Sequence, residues 1–236
     1  MEPAYGLARS ALWPALHFGM RWTIEDSHVI PVRGPVLIAS NHVSYLDPLV
    51  LAYVANQRHR KVRFLAKAEL FEHRALGPLL RATHQIPVQR ETAGAAGSLD
   101  AAVEALEHGE CVVVFPEGTI SLDLDPMPGK SGVVRLAQRT GVRVTPLGLW
   151  GAQRILFKGR KPRWRAGVAE SVVVGPPMSV ARDEDVGAAT DRVMGAIAST
   201  VARARALYPQ RPGSDDDGWW ARPPASAFRH TTRSSA

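Results

Sequence analysis

Cysteine is almost missing from this 236-residue chain, which carries one, Cys111. A lone thiol cannot build an internal disulfide framework, and without a Cys/His cluster around it a structural zinc site has no ligands. A reducing compartment such as the cytosol suits such a composition. Long apolar runs are missing as well. No stretch of about eighteen apolar residues occurs, so no segment has the length to cross a bilayer as a helix, and the protein is expected to be soluble or to lie on a surface. Residues 1–30 read as free of a secretory leader, because His17, Gly19 and Arg21 interrupt the apolar stretch before any small-residue cleavage pattern. Internal repeats, the full glycine pattern of a phosphate loop, and metal-ligand spacings are also absent. Ser44 and Ser131 do not sit in a Gly-x-Ser-x-Gly elbow, which argues against a serine acyl-enzyme.

What is present is enough apolar material for one substantial core, since 45% of residues are hydrophobic. The formal charge of +7 favours polyanionic partners: anionic lipid headgroups, an acidic carrier protein or nucleic acid. No recognised nucleic-acid motif accompanies that charge, so nucleic acid is left out of the expected partners.

Along the chain, β-branched runs at residues 36–39, 62–66, 85–88, 111–115, 142–147 and 171–174 read as strands. Helical patterns fall at 48–55, 92–107 and 133–139, and Val193, Ile197, Val201 and Ala204 recur at helical spacing in a last helix that Pro209 ends. Strands separated by helices imply βαβ units. The expected fold is therefore α/β, a single domain with a mostly parallel central sheet flanked by helices. Three segments are drawn. Residues 1–28 form an amphipathic segment that either lies in a membrane interface or packs on the core. Residues 29–208 form the catalytic domain. Residues 209–236, rich in Pro, Gly, Ser, Asp and Arg around Trp219 and Trp220, are expected to be disordered. Cys111, in an expected buried strand, reads as an inert core residue.

Two segments carry candidate chemistry. Residues 41–48, Asn-His-Val-Ser-Tyr-Leu-Asp-Pro, follow a strand and so belong to the carboxyl edge of the sheet, where open α/β folds bind ligands. His42 and Asp47 are five residues apart, which on one helix would turn them about 140° from each other. Pro48 suits a first helical turn, so Asp47 is placed at the N-cap with His42 in the turn folding back towards it. A carboxylate on one ring nitrogen fixes the tautomer and raises basicity at the other, giving a general base worth about 10² to 10⁴ in rate. The second segment, Phe115-Pro-Glu-Gly-Thr119, ends another strand in a tight turn at the same edge, exposing a carboxylate beside a flexible glycine.

Together these segments resemble the HX4D box and the FPEGT block of the glycerol-phosphate and lysophosphatidic acid acyltransferase family, in the same order and at similar separation. Residues 86–90, Ile-Pro-Val-Gln-Arg, and 144–148, Val-Thr-Pro-Leu-Gly, resemble two weaker blocks, so the likeness spans roughly residues 30–155. It implies His42 as the base that activates an acceptor hydroxyl and Asp47 as its orienting partner. It also implies that Glu117, Gly118, Thr119 and Arg90, with Lys67, bind the acceptor's glycerol and phosphate. Many members carry an arginine after FPEGT where this chain has Ile120, and Lys130 is the expected source of replacement charge, ahead of Arg135. The resemblance further implies an acyl-CoA or acyl carrier protein co-substrate, no other cofactor, and a lysophospholipid acceptor, lysophosphatidic acid first. A peripheral place on the cytoplasmic face of the cell membrane follows. The rival readings are the same chemistry on another acceptor, or a non-catalytic lipid-binding protein on the same scaffold. Two basic clusters, one at Arg58, Arg60, Lys61 and Arg63 and one from Lys158 to Arg165 around Trp164, read either as docking stripes for anionic lipid or an acidic carrier, or as solvated loops.

Overall fold

The computed structural model describes residues 3–89, 94–213 and 218–221. Seven strands form one sheet: β1 (Met20–Glu25), β2 (Val36–Ser40), β3 (Val62–Lys67), β4 (Ile86–Val88), β5 (Cys111–Val114), β6 (Val144–Trp150) and β7 (Val168–Val174). Their order is β1-β7-β6-β2-β5-β3-β4, and every pair is parallel except β6 with β7. Helices α1 (Pro3–Gly19), α2 (Asp47–Gln57), α3 (Leu76–Ala82), α4 (Gly94–Glu107), α5 (Gly132–Thr140) and α6 (Val186–Leu207) connect and cover it. The α/β class and the largely parallel sheet agree with the expectation from sequence.

The strands at the centre are apolar on both faces, as a sheet covered on both sides requires. Alternation sorts their side chains into two layers. Val36 and Ile38 of β2, with Cys111 and Val113 of β5, join Val50, Leu51 and Val54 of α2 on one face. Leu37 and Ala39, with Val112 and Val114, join α4, α5 and α6 on the other. Each such fully buried Val, Leu or Ile contributes about 1.5 to 3 kcal/mol relative to exposure. Val193, Ile197, Val201 and Ala204 are the inward positions of α6, as their spacing predicts. Gly148 lets that helix lie directly on β6: a Cβ there would sit 2.4 Å from the Thr200 carbonyl carbon. Burial pushes the Cys111 thiol up to about 12, which keeps it protonated and inert.

Three boundaries differ from the sequence reading. Met20–Glu25, assigned to the amphipathic segment, is the edge strand β1 and runs parallel to β7 from Met20 opposite Val168 to Glu25 opposite Val173. Its Met20, Trp22 and Ile24 alternate with polar residues, but Leu16 and Met20 also continue the helical spacing, and the pairing partner lies far along the chain. Helix α1 ends at Gly19, with Trp13 and Leu16 packed on the core and His17 Nδ1 2.8 Å from the Tyr53 hydroxyl. In the tail, Trp219–Ala221 forms a short 3-10 turn with Trp220 2% exposed. The Arg154 guanidinium lies 4.0 Å over the Trp220 ring and Tyr208 meets its edge, so this part of the expected disordered tail is docked on the domain. Composition missed it because the residues that hold the two tryptophans come from residues 154–208.

The first basic cluster is structural. Arg60 is buried and donates to the carbonyls of Pro31, Gly34 and Gly109, and Arg63 grips Glu110 with two bonds of 2.7 Å. Neither guanidinium belongs to a docking stripe. The second cluster, residues 158–165, is exposed throughout.

Candidate active site

Strands β6, β2, β5 and β3 are adjacent and parallel, so the loops after them meet at one edge of the sheet. The loop after β2 carries His42. Its first residue, Asn41, is fully buried and bridges to β6, donating from Nδ2 to Leu149 O at 3.1 Å and accepting from Leu149 N at 2.8 Å. The loop then turns back on the start of α2. Asp47 Oδ2 accepts from His42 Nδ1 at 2.9 Å, from Val43 N at 2.6 Å and from Ser44 N at 2.8 Å.

Asp47 therefore ties up the loop before the helix and makes no side-chain cap to the helix itself; Leu46 occupies the N-cap and Asp47 opens α2. The expectation of an Asp47 N-cap is off by one residue, while the folding back of His42 onto the carboxylate is as the turn chemistry of Pro48 implied. Asp47 is fully buried, whereas the His42 side chain keeps 17% of its surface open. A carboxylate oxygen only accepts, so the shared proton sits on Nδ1 and Nε2 presents a lone pair.

The FPEGT block fixes His42 from the other side. Phe115 stacks on the imidazole with ring centres 4.2 Å apart. Glu117 Oε1 accepts the His42 backbone N–H at 2.9 Å, and Ser121 N donates to His42 O at 2.8 Å, so both polar groups of the His42 main chain are held by this one segment. Glu117 Oε2 accepts from Met127 N at 3.1 Å. Glu117 is only 5% exposed, and burial raises its carboxyl to about 7 against the amide bonds that favour the charged form. Each of its two oxygens thus accepts from a backbone amide, so the group that the resemblance assigns to acceptor binding also ties two loops together. Gly118 takes φ +70°, which a residue without Cβ adopts freely, and Lys130 packs its methylenes against it.

Cations surround this edge. Lys130 lies against Gly118, and Lys158 Nζ is 3.3 Å from Thr119 Oγ1. Lys158 stood out in the sequence only as part of a basic run; its position became visible when the loop after β6 was placed. That loop is tied to the site by Tyr45 N donating to Leu156 O and by Ser44 Oγ 2.8 Å from the same oxygen. Lys67 ends β3 at the same edge and pairs with Glu69 at 3.0 Å. Arg135 lies on α5, its Nε 3.2 Å from Ser131 Oγ. Ile120 points into a cluster with Val43, Leu124 and Trp150. Arg90 lies outside the described residues. Among the described residues no group of three or more His, Cys, Asp or Glu side chains converges as a metal site would.

A family model described as Acyltransferase matches residues 21–150, more than half of the chain, including His42, Asp47 and residues 115–119. The chain belongs to the acyltransferase family. A 1-acyl-sn-glycerol-3-phosphate acyltransferase of Bacillus subtilis (strain 168) is 28% identical over 157 residues, 66% of this chain and 72% of that one. A protein of the same name from Borreliella burgdorferi is 27% identical over 149 residues, 63% of this chain, and the match spans only 57% of that relative. Among solved structures, the 1-acyl-sn-glycerophosphate (LPA) acyltransferase PlsC from Thermotoga maritima superposes with a TM-score of 0.67 at 25% identity, covering 89% of this chain and 80% of that one. The fold of this acyltransferase is the PlsC fold.

Proposed function

We propose that this acyltransferase moves a fatty acyl group from a CoA or carrier-protein thioester to the free hydroxyl of lysophosphatidic acid, giving phosphatidic acid. The observation that carries the reading is the 2.9 Å contact of His42 Nδ1 with buried Asp47, on a histidine whose main chain is clamped by Glu117 and Ser121. In this mechanism Nε2 takes the acceptor's hydroxyl proton as the oxygen attacks the thioester carbonyl. Asp47 stabilises the imidazolium that forms. Collapse of the tetrahedral intermediate breaks the C–S bond, and the proton on Nε2 goes to the leaving thiolate. Lys130 and Lys158, beside Gly118 and Thr119, supply the positive charge that Ile120 does not, and we assign them to the acceptor's phosphate. The relatives' names support lysophosphatidic acid as acceptor; the Ile120 departure makes glycerol 3-phosphate or another lysophospholipid the alternative.

The reading also puts the enzyme on a membrane surface, where its acceptor resides. Leu7 and Phe18 of α1 are 74% and 79% exposed, an apolar face that an interface would cover. No helix among the described residues is long and apolar enough to cross a membrane. The test is thiol release from palmitoyl-CoA and from palmitoyl-acyl carrier protein in detergent micelles, with lysophosphatidic acid, glycerol 3-phosphate and lysophosphatidylcholine as acceptors. Release with lysophosphatidic acid alone is the expected result. Release with a different acceptor keeps the chemistry and changes the substrate, and no release with any donor and acceptor pair refutes the proposal.

A further inference from the structure

The dyad does not say which thioester it serves, but a cavity one loop away bears on the donor. It has a volume of about 220 Å3 and lies between residues 153–163 and Trp219. Ile155 and Phe157 line it together with the cations Arg154, Arg160, Lys161 and Arg163. We propose that this cavity binds the phosphorylated nucleotide end of a CoA thioester, which makes CoA the donor; the proposal rests on the acyltransferase reading above.

Four features carry it. Guanidinium groups match phosphate oxygens two bonds at a time, and three of them with one ammonium converge here. They are oriented, since Arg160 lies 4.2 Å over the Trp219 ring and Arg154 donates to Tyr208 and Gln210. A planar base can extend the Arg160 and Trp219 stack as bases do on aromatic and guanidinium faces. The cavity wall also includes Gln153, 1% exposed, whose Oε1 accepts from Gly151 N while its Nε2 makes no hydrogen bond. That buried amide donor is one a ligand oxygen would satisfy.

Size and place fit the same ligand. Whole-ligand pockets run to roughly 300 to 1,000 Å3, so this recess suits one end of a long molecule. The thin arm of CoA would then follow the 155–158 loop, which touches Ser44 and Tyr45 beside His42 and Thr119 through Lys158. A flat bilayer or the broad acidic face of a carrier protein would press on an outward-facing patch, whereas these cations line a recess walled by Phe157 and Trp219.

Arg160 and Lys161 are exposed, so the double variant Arg160→Gln/Lys161→Gln should leave the fold intact. The acidic run Asp215 to Asp217 in the sequence is kept unaltered in every protein tested. Binding of adenosine 3′,5′-bisphosphate to the purified full chain is measured by calorimetry at about 0.15 M salt, with inorganic phosphate as the comparison. The wild type and His42→Ala are expected to bind the bisphosphate alike and more tightly than phosphate, and the double variant about tenfold more weakly. In turnover, the double variant's KM for palmitoyl-CoA should rise about tenfold with kcat nearly unchanged, while turnover of the carrier-protein donor stays as it was. No saturable bisphosphate binding by the wild type overturns the proposal. So does a double variant that loses carrier-protein turnover, or loses binding to phosphatidylglycerol vesicles, while keeping its KM for palmitoyl-CoA. Bisphosphate binding without acyl transfer to any acceptor would sink the acyltransferase reading and leave the nucleotide site standing; acyl transfer without bisphosphate binding would do the reverse.

Discussion

Replacing Asp47 by asparagine separates what the carboxylate does for the loop from what it does for the chemistry. Oδ2 receives three N–H groups, from His42, Val43 and Ser44, and Oδ1 has no partner. An asparagine oxygen in the same place still accepts, so the loop is kept, but three charge-assisted bonds become neutral ones at about 1 kcal/mol each. Asp47→Asn should therefore lower stability by about 2 to 3 kcal/mol and still fold. The catalytic loss is larger. Attraction between the carboxylate and the imidazolium formed during proton transfer, at about 4 Å between charge centres and an effective dielectric near 20, is about 4 kcal/mol. At 1.36 kcal/mol per tenfold this is about 10³ in kcat, within the range general bases contribute. KM for donor and acceptor should hardly change, because Asp47 is fully buried and touches neither. The assay is thiol release at saturating donor and acceptor, paired with circular dichroism and a thermal melt. A folded Asp47→Asn protein with kcat within about threefold of wild type would refute the assignment of Asp47 as the group that orients and charges the base.

Burial raises Glu117 from 4.5 to about 7, so the native state holds its proton more tightly than the unfolded chain does. Its contribution to stability is full below the unfolded value and is lost as pH rises through about 7, a change of about 3 kcal/mol at most. Glu117→Gln should flatten that slope between pH values of about 4.5 and 7 in melting experiments, and an unaltered slope would mean another group titrates there. Trp220→Ala should destabilise the fold by about 3 to 5 kcal/mol, read as a fall in melting temperature of about 10 °C; an unchanged melt would show the docked turn to be dispensable. Gly148→Ala drives a Cβ into the Thr200 main chain, which cannot rotate away, so a loss of about 2 to 3 kcal/mol is expected from chemical denaturation. Wild-type stability in that variant would show that α6 is free to lift from β6.

The sheet was legible because β2, β5, β6 and β7 are buried along their whole length, so that each contains a short, mainly apolar run, although Ala169 and Glu170 hid the start of β7. Strand β1 was not, since Trp22 and Ile24 are only half-shielded at the sheet edge and Leu16 to Met20 keeps helical spacing. Helix α3 was missed for a related reason: of Leu76–Ala82 only Gly77 is buried, which leaves no apolar stripe to count. In the site, His42 and Asp47 could be paired from the sequence because the turn between them is local and Pro48 marks the helix start. Lys158 could not be placed, because its neighbour Thr119 is brought to it by strands β5 and β6, which lie on either side of β2.

Glu117 has a structural part in the site that its place in the sequence does not by itself suggest. A carboxylate at the carboxyl edge of a sheet is an attractive ligand for glycerol hydroxyls, but only if its oxygens remain available. Here both are turned inwards onto main-chain amides, one of them that of His42 itself. With Ser121 N on His42 O and Phe115 against the ring, residues 115–121 fix the backbone and the plane of the imidazole, while Asp47 fixes its tautomer. A histidine restrained at all four of these points has little freedom left except at Nε2, which is where proton transfer requires order. In the proposed mechanism the acceptor's charge falls to two cations at the same edge, Lys130 and Lys158. The specificity of this enzyme should accordingly follow the spacing of those two lysines more closely than the identity of residue 117.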